Sequence, residues 1–246
     1  MKLLAFETAT EACSVAVYVD GEVRERFEVA PRRHAELALP WAEQLLADAG
    51  IARAQLDAIA LSRGPGAFTG VRLAIALAQG IALALDRPLV PVSTLAVLAS
   101  QVPAPRVTAV EGGCDVGMAH AILAAIDARM GEIYTGTFVH RGDRLEATSA
   151  EAVVAPAGYA LPGADSDWVG VGTGFAAADG VLVARLQERF LRVDAQALPH
   201  AADLARLAAD ALRRGEVIAP EHVEPAYLRN NVALTLEQQK ALRASR

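Results

Sequence analysis

The sequence contains one long uncharged segment, and this segment constrains the fold more than any other feature. Hydrophobic periodicity predicts a helix over residues 70–85, and no charged residue lies between Arg72 and Asp86. Successive residues of a helix turn by about 100°, so the large apolar residues form two rows on roughly opposite sides. One row holds Leu73, Leu77, Ile81 and Leu85, and the other holds Val71, Ile75 and Leu83. A helix that is apolar on all sides is buried on all sides.

One side of this helix can pack on the chain's own sheet, and the other side then needs a cover. The cover is either the helix predicted over residues 35–49 or another subunit, and the sequence leaves both open. We predict an association surface on the long helix and on the glycine-rich segment before it. Its residues are Gly64, Gly66, Phe68, Gly70, Val71, Leu73, Ala74, Ile75, Leu77, Ala78 and Ile81. Which of the two rows faces outward stays open.

The charge and the aromatic content argue against a free-standing RNA-binding protein. The chain has 246 residues and a net charge of −6. Phosphate contacts supply most of the affinity of RNA-binding proteins, which therefore carry a basic surface. Aromatic residues make up 5% of the chain, too few to form stacking platforms for single-stranded nucleic acid. We therefore expect contact with RNA to be indirect.

Cysteine usage and the apolar runs indicate a soluble cytoplasmic protein. Cys13 and Cys114 form no C-x-x-C pair and predict no disulfide framework, as is typical of a reducing compartment. The first apolar run meets Glu7 too early for the core of a signal peptide. The apolar run over residues 73–85 is shorter than the ~20 residues that span a bilayer, so we expect no membrane attachment.

The first half of the chain begins with three strands. They are predicted over residues 2–6, 12–19 and 22–29, with Asp20-Gly21 as the turn between the last two. A helix over residues 35–49 follows, in which Pro40 implies a later start or a bent first turn. A strand over 56–61, the long helix, a strand over 89–91 and a helix from about Thr94 complete this half. The order βββαβα is typical of a ribonuclease-H-like, actin-type domain, with a mixed sheet and helices on both faces.

The second half starts the pattern again after a boundary near Pro103. Strands are predicted over residues 121–127, 132–139, 144–148 and 168–171, and helices over 175–186 and 201–214. Residues 107–120 show no clear period and predict a loop. We therefore predict an α/β protein of the two-lobed actin-like class with mixed sheets. Its lobes are residues 1–103 and a smaller, degenerate lobe of residues 104–246, with a cleft between them.

A glycine-rich segment between a predicted strand and the long helix is the strongest local motif. In Gly64-Pro65-Gly66-Ala67-Phe68-Thr69-Gly70, glycines permit positive φ and outward-pointing N–H groups. The segment could therefore cradle an anion at the helix N-terminus, or it could be a tight turn that only starts a buried helix. The residue pattern does not choose between these two.

This segment and several others resemble the TsaB (YeaZ) family, and together they cover most of the first 135 residues and a short motif near the end. The other matching segments are Phe6-Glu7-Thr8-Ala9-Thr10, Cys13-Ser14-Val15-Ala16, His34-Ala35-Glu36, Asp127-Ala128-Arg129-Met130-Gly131-Glu132-Ile133-Tyr134 and Pro225-Ala226-Tyr227-Leu228-Arg229. The match is specific because the motifs recur in the right order. Residues 103–120 depart from the family pattern, and residues 150–215 match it only loosely.

The resemblance implies a two-lobed fold of the actin, hexokinase and heat-shock-ATPase class. It also implies a complex that transfers a threonylcarbamoyl group to the adenosine 3′ of the anticodon in tRNA. In that family this subunit is a degenerate paralogue that dimerises with and supports a catalytic subunit of the TsaD type, and a small ATPase of the TsaE type joins them. Alone, such a subunit forms a homodimer. The resemblance implies no intrinsic cofactor, and leaves open ATP or ADP with Mg²⁺ at an interface of the complex.

The histidines do not form the pair that the catalytic paralogue uses to hold a metal. That paralogue carries two histidines at i and i+4, whereas here His34, His120, His140, His200 and His222 are scattered with no two at helical spacing. From this spacing we predict no metal site. A metalloprotease, which would need a motif such as H-E-x-x-H, loses its support for the same reason.

A second function class, an active ATP-binding kinase or ATPase of the actin-like fold, stays as the alternative. Glu7 and Asp127 each follow the first strand of a half and could reach Mg²⁺ through water, or each could cap a turn. With Thr8, Gly172 and Gly174 they form the candidate nucleotide site. A glutamate where such kinases carry aspartate, and a short Gly-x-Gly loop, count against turnover. No catalytic residue is predicted.

Overall fold

The computed structural model describes residues 1–104, 107–110, 113–116, 120–163 and 167–229. In the first half, five strands form one mixed sheet in the order β3-β2-β1-β4-β5, in which β1 is antiparallel to β2 and parallel to β4. The strands are β1 (Lys2–Glu7), β2 (Ala12–Val19), β3 (Glu22–Val29), β4 (Ala58–Ser62) and β5 (Leu89–Val92). The helices are α1 (His34–Asp48), α2 (Phe68–Leu85) and α3 (Thr94–Ala99). The predicted order βββαβα is confirmed.

Helix α1 begins where its first side chain is anchored. The His34 ring places Nε2 3.0 Å from the Thr10 carbonyl oxygen and 3.1 Å from that of Ala12. Pro40 lies inside the helix, so a later start is wrong. The contacts of His34 with the turn between β1 and β2 therefore fix where the helix begins. They outweigh the tendency of Pro40 to delay the start of a helix.

The segment after α3 contains a hairpin that the sequence does not predict. Strands β6 (Val107–Val110) and β7 (Gly113–Val116) pair antiparallel in a two-stranded sheet of their own. The prediction of a loop over residues 107–120 is therefore wrong for these eight residues. Val107, Thr108 and Val110 have high strand propensity, but four-residue strands are too short to show a period.

The second sheet repeats the order of the first. It runs in the order β10-β9-β8-β12-β13. Its first strand, β8, is antiparallel to its hairpin neighbour β9 on one side and parallel to β12 on the other, as β1 is to β2 and β4. The strands are β8 (Ala121–Arg129), β9 (Glu132–Arg141), β10 (Arg144–Ala147), β11 (Ala152–Val154, paired with β9), β12 (Trp168–Val171) and β13 (Phe190–Asp194). Strands β11 and β13 were not predicted. The α/β two-lobed class with mixed sheets is confirmed by this repeat.

Within the described residues, two further helices are α4 (Ala177–Leu186) and α5 (Ala201–Arg213). The helix predicted over residues 175–186 is interrupted, because Ala178, Asp179 and Gly180 have φ of 48°, 57° and 73°. A left-handed conformation at two non-glycine residues costs free energy, and no sequence period reports it. Helix α5 agrees with its prediction.

One helix from each half packs on the sheet of the other half. Helices α1 and α2 cover one face of the first sheet, but its other face packs on α5, through Leu204, Ala205 and Ala208. Conversely, α3 contributes Leu95 and Leu98 to the core on the second sheet. Helices α3 and α5 therefore hold the two halves together. The division into residues 1–103 and 104–246 stays a prediction.

Helix α2 packs on the first sheet through its small residues. Ala74, Ala78 and Ala82 are fully buried. The large residues Ile75, Leu77, Ile81 and Leu85 lie partly buried on the flanks. The assumption that one of the two large rows faces the sheet is therefore wrong. Alanines let the helix approach the strands closely, and the large side chains then reach down on either side.

Candidate functional site

The glycines before α2 are required by close backbone contacts with the turn after β1. A Cβ at Gly66 would lie 2.3 Å from the Ala9 carbonyl oxygen, and one at Gly70 would lie 1.9 Å from that of Thr8. Hydrogen bonds hold the same contact, from the Ala67 N–H to the Ala9 oxygen at 2.7 Å and from Thr8 Oγ1 to the Gly70 oxygen at 2.7 Å. Of the two alternatives left by the sequence, the tight turn accounts for these glycines.

A cleft of about 1130 Å³ opens beside this turn, between the two halves. Its walls come from the turn after β1, the start of α2, the β8–β9 turn and the segment near residue 227. The side chains at its rim include Phe68, Arg72, Asp127, Met130, Tyr227 and Arg229. The predicted cleft is therefore present, with a rim that mixes aromatic and basic groups.

The segment over residues 225–229 ties the two sides of the cleft together. On the first side the Ala226 N–H donates to the Arg63 oxygen at 2.8 Å, and the Arg72 guanidinium donates to the Tyr227 hydroxyl. On the other side Arg229 pairs with Glu132 and donates to the Ala128 oxygen at 3.2 Å. The family-like motif at these residues is therefore a structural bridge between the halves.

The five predicted nucleotide-binding residues are not brought together at the cleft. Glu7 and Thr8 are fully buried, and Gly172 and Gly174 pack against Ala125, where added Cβ atoms would lie 2.3 and 2.7 Å from its atoms. Asp127 alone of the five lines the cleft. Its carboxylate accepts from the Arg129 N–H at 2.8 Å, which is the turn-capping role. Nucleotide binding stays a prediction.

Glu7 has an unusual protonation state for a residue expected near Mg²⁺. Burial raises the pKa of its carboxyl to about 7, against the partial effect of the Ala9 N–H, which donates to Oε1 at 2.8 Å. Its Oε2 has no hydrogen-bond partner among the described residues. At pH 7 this carboxyl is therefore about half protonated, and its protonated form is a poor ligand for a divalent cation.

A polar cluster around Ser14 connects the first sheet to α5. Ser14 Oγ donates to Glu25 Oε1 at 2.7 Å and accepts from the Ala201 N–H at 2.9 Å. The His200 ring lies 3.0 Å from Glu25 Oε2, and this hydrogen bond raises the pKa of His200. The imidazole contacts the acid and not the serine, so it cannot act as a base on Ser14. The cluster caps α5, and no sequence signal could link residues 175 or more positions apart.

The outer face of α2 is apolar and exposed. Four residues form it: Ala76, Gly80, Leu83 and Ala84. Leu83 is 59% exposed, and a Cβ at Gly80 would meet no atom within 4 Å. The small residues recur at i, i+4 and i+8, a spacing that lets a second helix approach closely. Leu83 belongs to one of the two large rows predicted from the sequence, but none of these four residues is in the predicted association surface.

The predicted association residues divide into three groups by exposure. Gly64, Val71, Ala74 and Ala78 are buried within the chain itself, so they present no surface to a partner. Phe68 is 68% exposed. The half-buried members are Gly66, Gly70, Leu73, Ile75, Leu77 and Ile81. The part of the predicted surface that a partner could reach therefore lies at the start and on the flanks of α2.

Helix α2 is also the described helix that is long and apolar enough to cross a membrane by length and composition. Only 28% of its residues are buried, and those face the first sheet. Because one side of α2 is fixed on the chain's own sheet, the apolar face on its other side is left without a cover. A protein partner can supply that cover.

Among the described residues, no group of three or more histidine, cysteine, aspartate or glutamate side chains is placed to hold a metal ion. The expected absence of a metal site was argued from helical spacing alone. Spacing along a helix does not test residues that strand pairing brings together.

Comparison with known proteins finds relatives along nearly the whole chain. The family model described as TsaD, tRNA N6-adenosine threonylcarbamoyltransferase, matches residues 27–236. The Escherichia coli protein TsaB is 39% identical over 95% of this chain and 96% of its own length, and that of Haemophilus influenzae is 34% identical over 94% and 95%. The solved structure of YeaZ from Pseudomonas aeruginosa is 44% identical, covers 92% of this chain and 99% of its own, and superposes with a TM-score of 0.81.

Proposed function

Because this chain belongs to the TsaB family, we propose that it acts in the biosynthesis of threonylcarbamoyladenosine in tRNA as a non-catalytic subunit. It dimerises with a TsaD-type transferase and supports modification of the adenosine 3′ of the anticodon. The assignment to this pathway rests on one observation, the near full-length similarity to the Escherichia coli protein, which is named for this biosynthesis. A TsaE-type ATPase joins the complex, and the compartment is the cytoplasm.

The absence of catalysis by this chain is supported by the placement of its candidate polar groups. Glu7 is buried with a pKa of about 7, and Ser14 is committed to Glu25 and the start of α5. Asp127 caps its own turn. These placements also count against the alternative of an active kinase or ATPase, since that chemistry needs ionised carboxylates free to hold Mg²⁺. ATP or ADP with Mg²⁺ would then belong to an interface of the complex, and tRNA would be contacted through the partner.

The partner's position is supported by the outer face of α2. This face carries no charge between Arg72 and Asp86, and Leu83, near its C-terminal end, is 59% exposed. Helix α1 lies beside α2 over the same sheet and leaves this face open. A second helix that packs on Ala76, Gly80 and Ala84 would bury Leu83 and cover the face. In the absence of the transferase, a second copy of the chain offers the same helix, which gives a homodimer.

The test combines reconstitution with a matched pair of charge substitutions. Leu83→Glu places a carboxylate within the proposed interface, whereas Leu191→Glu makes the same change at a residue that is 55% exposed on β13. A charge buried without a partner at the centre of an interface costs several kcal/mol of binding. Ala78→Glu serves as the folding control, because Ala78 is fully buried against the first sheet.

We expect purified transferase, ATPase and tRNA to give no threonylcarbamoyladenosine unless this chain is added. Leu83→Glu should remain folded by circular dichroism, run as a monomer in light scattering and fail to restore modification. Leu191→Glu should behave as the wild type, and Ala78→Glu should unfold. Full modification without the chain would refute the supporting role. Normal association of Leu83→Glu would instead refute only the placement of the interface.

A further inference from the structure

Strand pairing brings two of the scattered histidines opposite each other. The antiparallel register of β8 and β9 pairs Ala121 with Val139, so one further step pairs His120 with His140. Residues directly opposite in an antiparallel pair have Cβ atoms about 4.5–5.5 Å apart and point to the same face. Twenty residues separate the two in sequence, and no helical spacing would reveal them.

Both rings lie on the face of the second sheet that α3 covers. Side chains alternate along a strand, and Ile122 and Phe138, each two residues away, belong to the core shared with Leu95 and Leu98 of α3. His140 Nε2 lies 2.7 Å from the carbonyl oxygen of Val102, just after α3. The pair therefore sits at the edge of this core. Val102 precedes the segment that carries β6 and β7, and His120 follows it.

The hydrogen bond to Val102 fixes the tautomer of His140. A carbonyl oxygen only accepts, so Nε2 carries the proton and, in the neutral ring, Nδ1 keeps a lone pair. That Nδ1 is buried and has no hydrogen-bond partner among the described residues, and the same holds for Nδ1 of His120. A histidine that donates one ring N–H to a backbone carbonyl and presents the other nitrogen unpaired has the arrangement of a metal ligand.

We propose that His120 and His140 form a two-imidazole site for one divalent transition-metal ion, with Zn²⁺, Ni²⁺ and Cu²⁺ as the class that imidazole nitrogen favours. The ion binds the two Nδ1 atoms, and water completes its coordination. It links β8 to β9 at the base of the β6–β7 segment. This site departs from the expectation of no metal and is separate from the cleft, so its test does not bear on the proposed function.

The substitutions are chosen to remove a ligand and keep the local hydrogen bond. In His140→Gln the side-chain amide can still donate to the Val102 oxygen, but it offers no imidazole Nδ1. His120→Gln removes the opposite ligand, whose ring makes no hydrogen bond to a described residue. His222→Gln is the matched control, because His222 is exposed. Thermal unfolding of each metal-free variant reports whether it is folded.

The experiment titrates the full-length chain, free of metal and of any histidine tag, with Zn²⁺ against a chromophoric chelator. We expect one ion per chain and a loss of affinity of roughly tenfold or more in either ligand variant, with none in His222→Gln.

Electron paramagnetic resonance of the Cu²⁺-loaded chain gives an independent readout. The wild type should show two coupled nitrogens, and each ligand variant should show one fewer. The inference is overturned if Zn²⁺ does not bind, which would leave water as the partner of the two rings. It is equally overturned if the ion binds with unchanged affinity and nitrogen coupling in both folded variants. If His140→Gln unfolds, His120→Gln decides by the same two measurements.

Discussion

The same substitution at two glycines of one helix should change stability in opposite directions. In Gly70→Ala the new Cβ would lie 1.9 Å from the Thr8 carbonyl oxygen and 3.0 Å from its carbon, both backbone atoms that cannot rotate away. In Gly80→Ala the new Cβ would meet nothing within 4 Å. Both residues lie within α2, so the change in helix propensity is similar and the contact makes the difference.

The magnitudes follow from these contacts. Overpacking a close contact costs about 1–3 kcal/mol, and a shift of α2 would also break the hydrogen bond from Thr8 Oγ1 to the Gly70 oxygen, worth about 1 kcal/mol. The gain in helix propensity, about 1 kcal/mol, offsets part of this cost, so Gly70→Ala should lower the free energy of unfolding by about 1–3 kcal/mol. Gly80→Ala should raise it by about 1 kcal/mol, the cost of glycine inside a helix. For a chain of this size the melting temperature moves by about 2–4 °C per kcal/mol.

The assay is urea and thermal unfolding followed by far-ultraviolet circular dichroism, at a protein concentration low enough to keep the chain monomeric. The added methyl of Gly80→Ala should also weaken association at higher concentration, where a partner helix packs on this position. If Gly70→Ala is as stable as the wild type, the glycine-rich segment is not held by the contact with Thr8. If Gly80→Ala destabilises the monomer, the outer face of α2 is covered within the chain.

Three further outcomes are expected. The pKa of Glu7 is raised from 4.5 to about 7 by burial, so the native state binds the proton more tightly. Its contribution to stability is fully present below about pH 4.5 and is lost as pH rises to about 7, by roughly 3 kcal/mol. Urea unfolding of Glu7→Gln should lack this slope, and parallel curves for the two proteins would contradict the burial argument. The chain alone should not turn over ATP at the ~1–10³ s⁻¹ typical of enzymes, and a rate in that range that disappears in Asp127→Ala would establish the kinase alternative. Filter binding should show weak association of the chain with tRNA at physiological salt, given its net charge of −6, and submicromolar binding without the transferase would contradict indirect contact.

Much of the first half could be predicted because its signals are local. Alternation over residues 12–19 and 22–29 with the turn at Asp20-Gly21, and the helical period over residues 70–85, all match elements of the structure. Each of these patterns states which residues must be buried and at what period. The family resemblance added the two-lobed fold and the pathway, both of which the comparisons support.

The surroundings of each apolar face were decided only by the tertiary structure. Ala74, Ala78 and Ala82 face the sheet because small residues let α2 approach it closely, a choice that periodicity does not make between two apolar sides. Leu3 and Ala5 of β1 pack on α5, which arrives from residues 201–213 to cover the first sheet, and side-chain alternation along β1 directs Glu7 to the same face. The identity of residue 7 and of its neighbours in the sequence does not predict that contact.

The placement of His120 opposite His140 is a second example of a contact that the sequence pattern does not predict. Sequence spacing reports proximity along a helix or within one strand, whereas the neighbours of a strand are set by register between segments joined through a turn. The sequence by itself determined the elements of the first half, their order and the apolar surfaces that need covers. The tertiary structure alone decided which surfaces cover one another, because burial is satisfied by contacts between residues far apart in the chain.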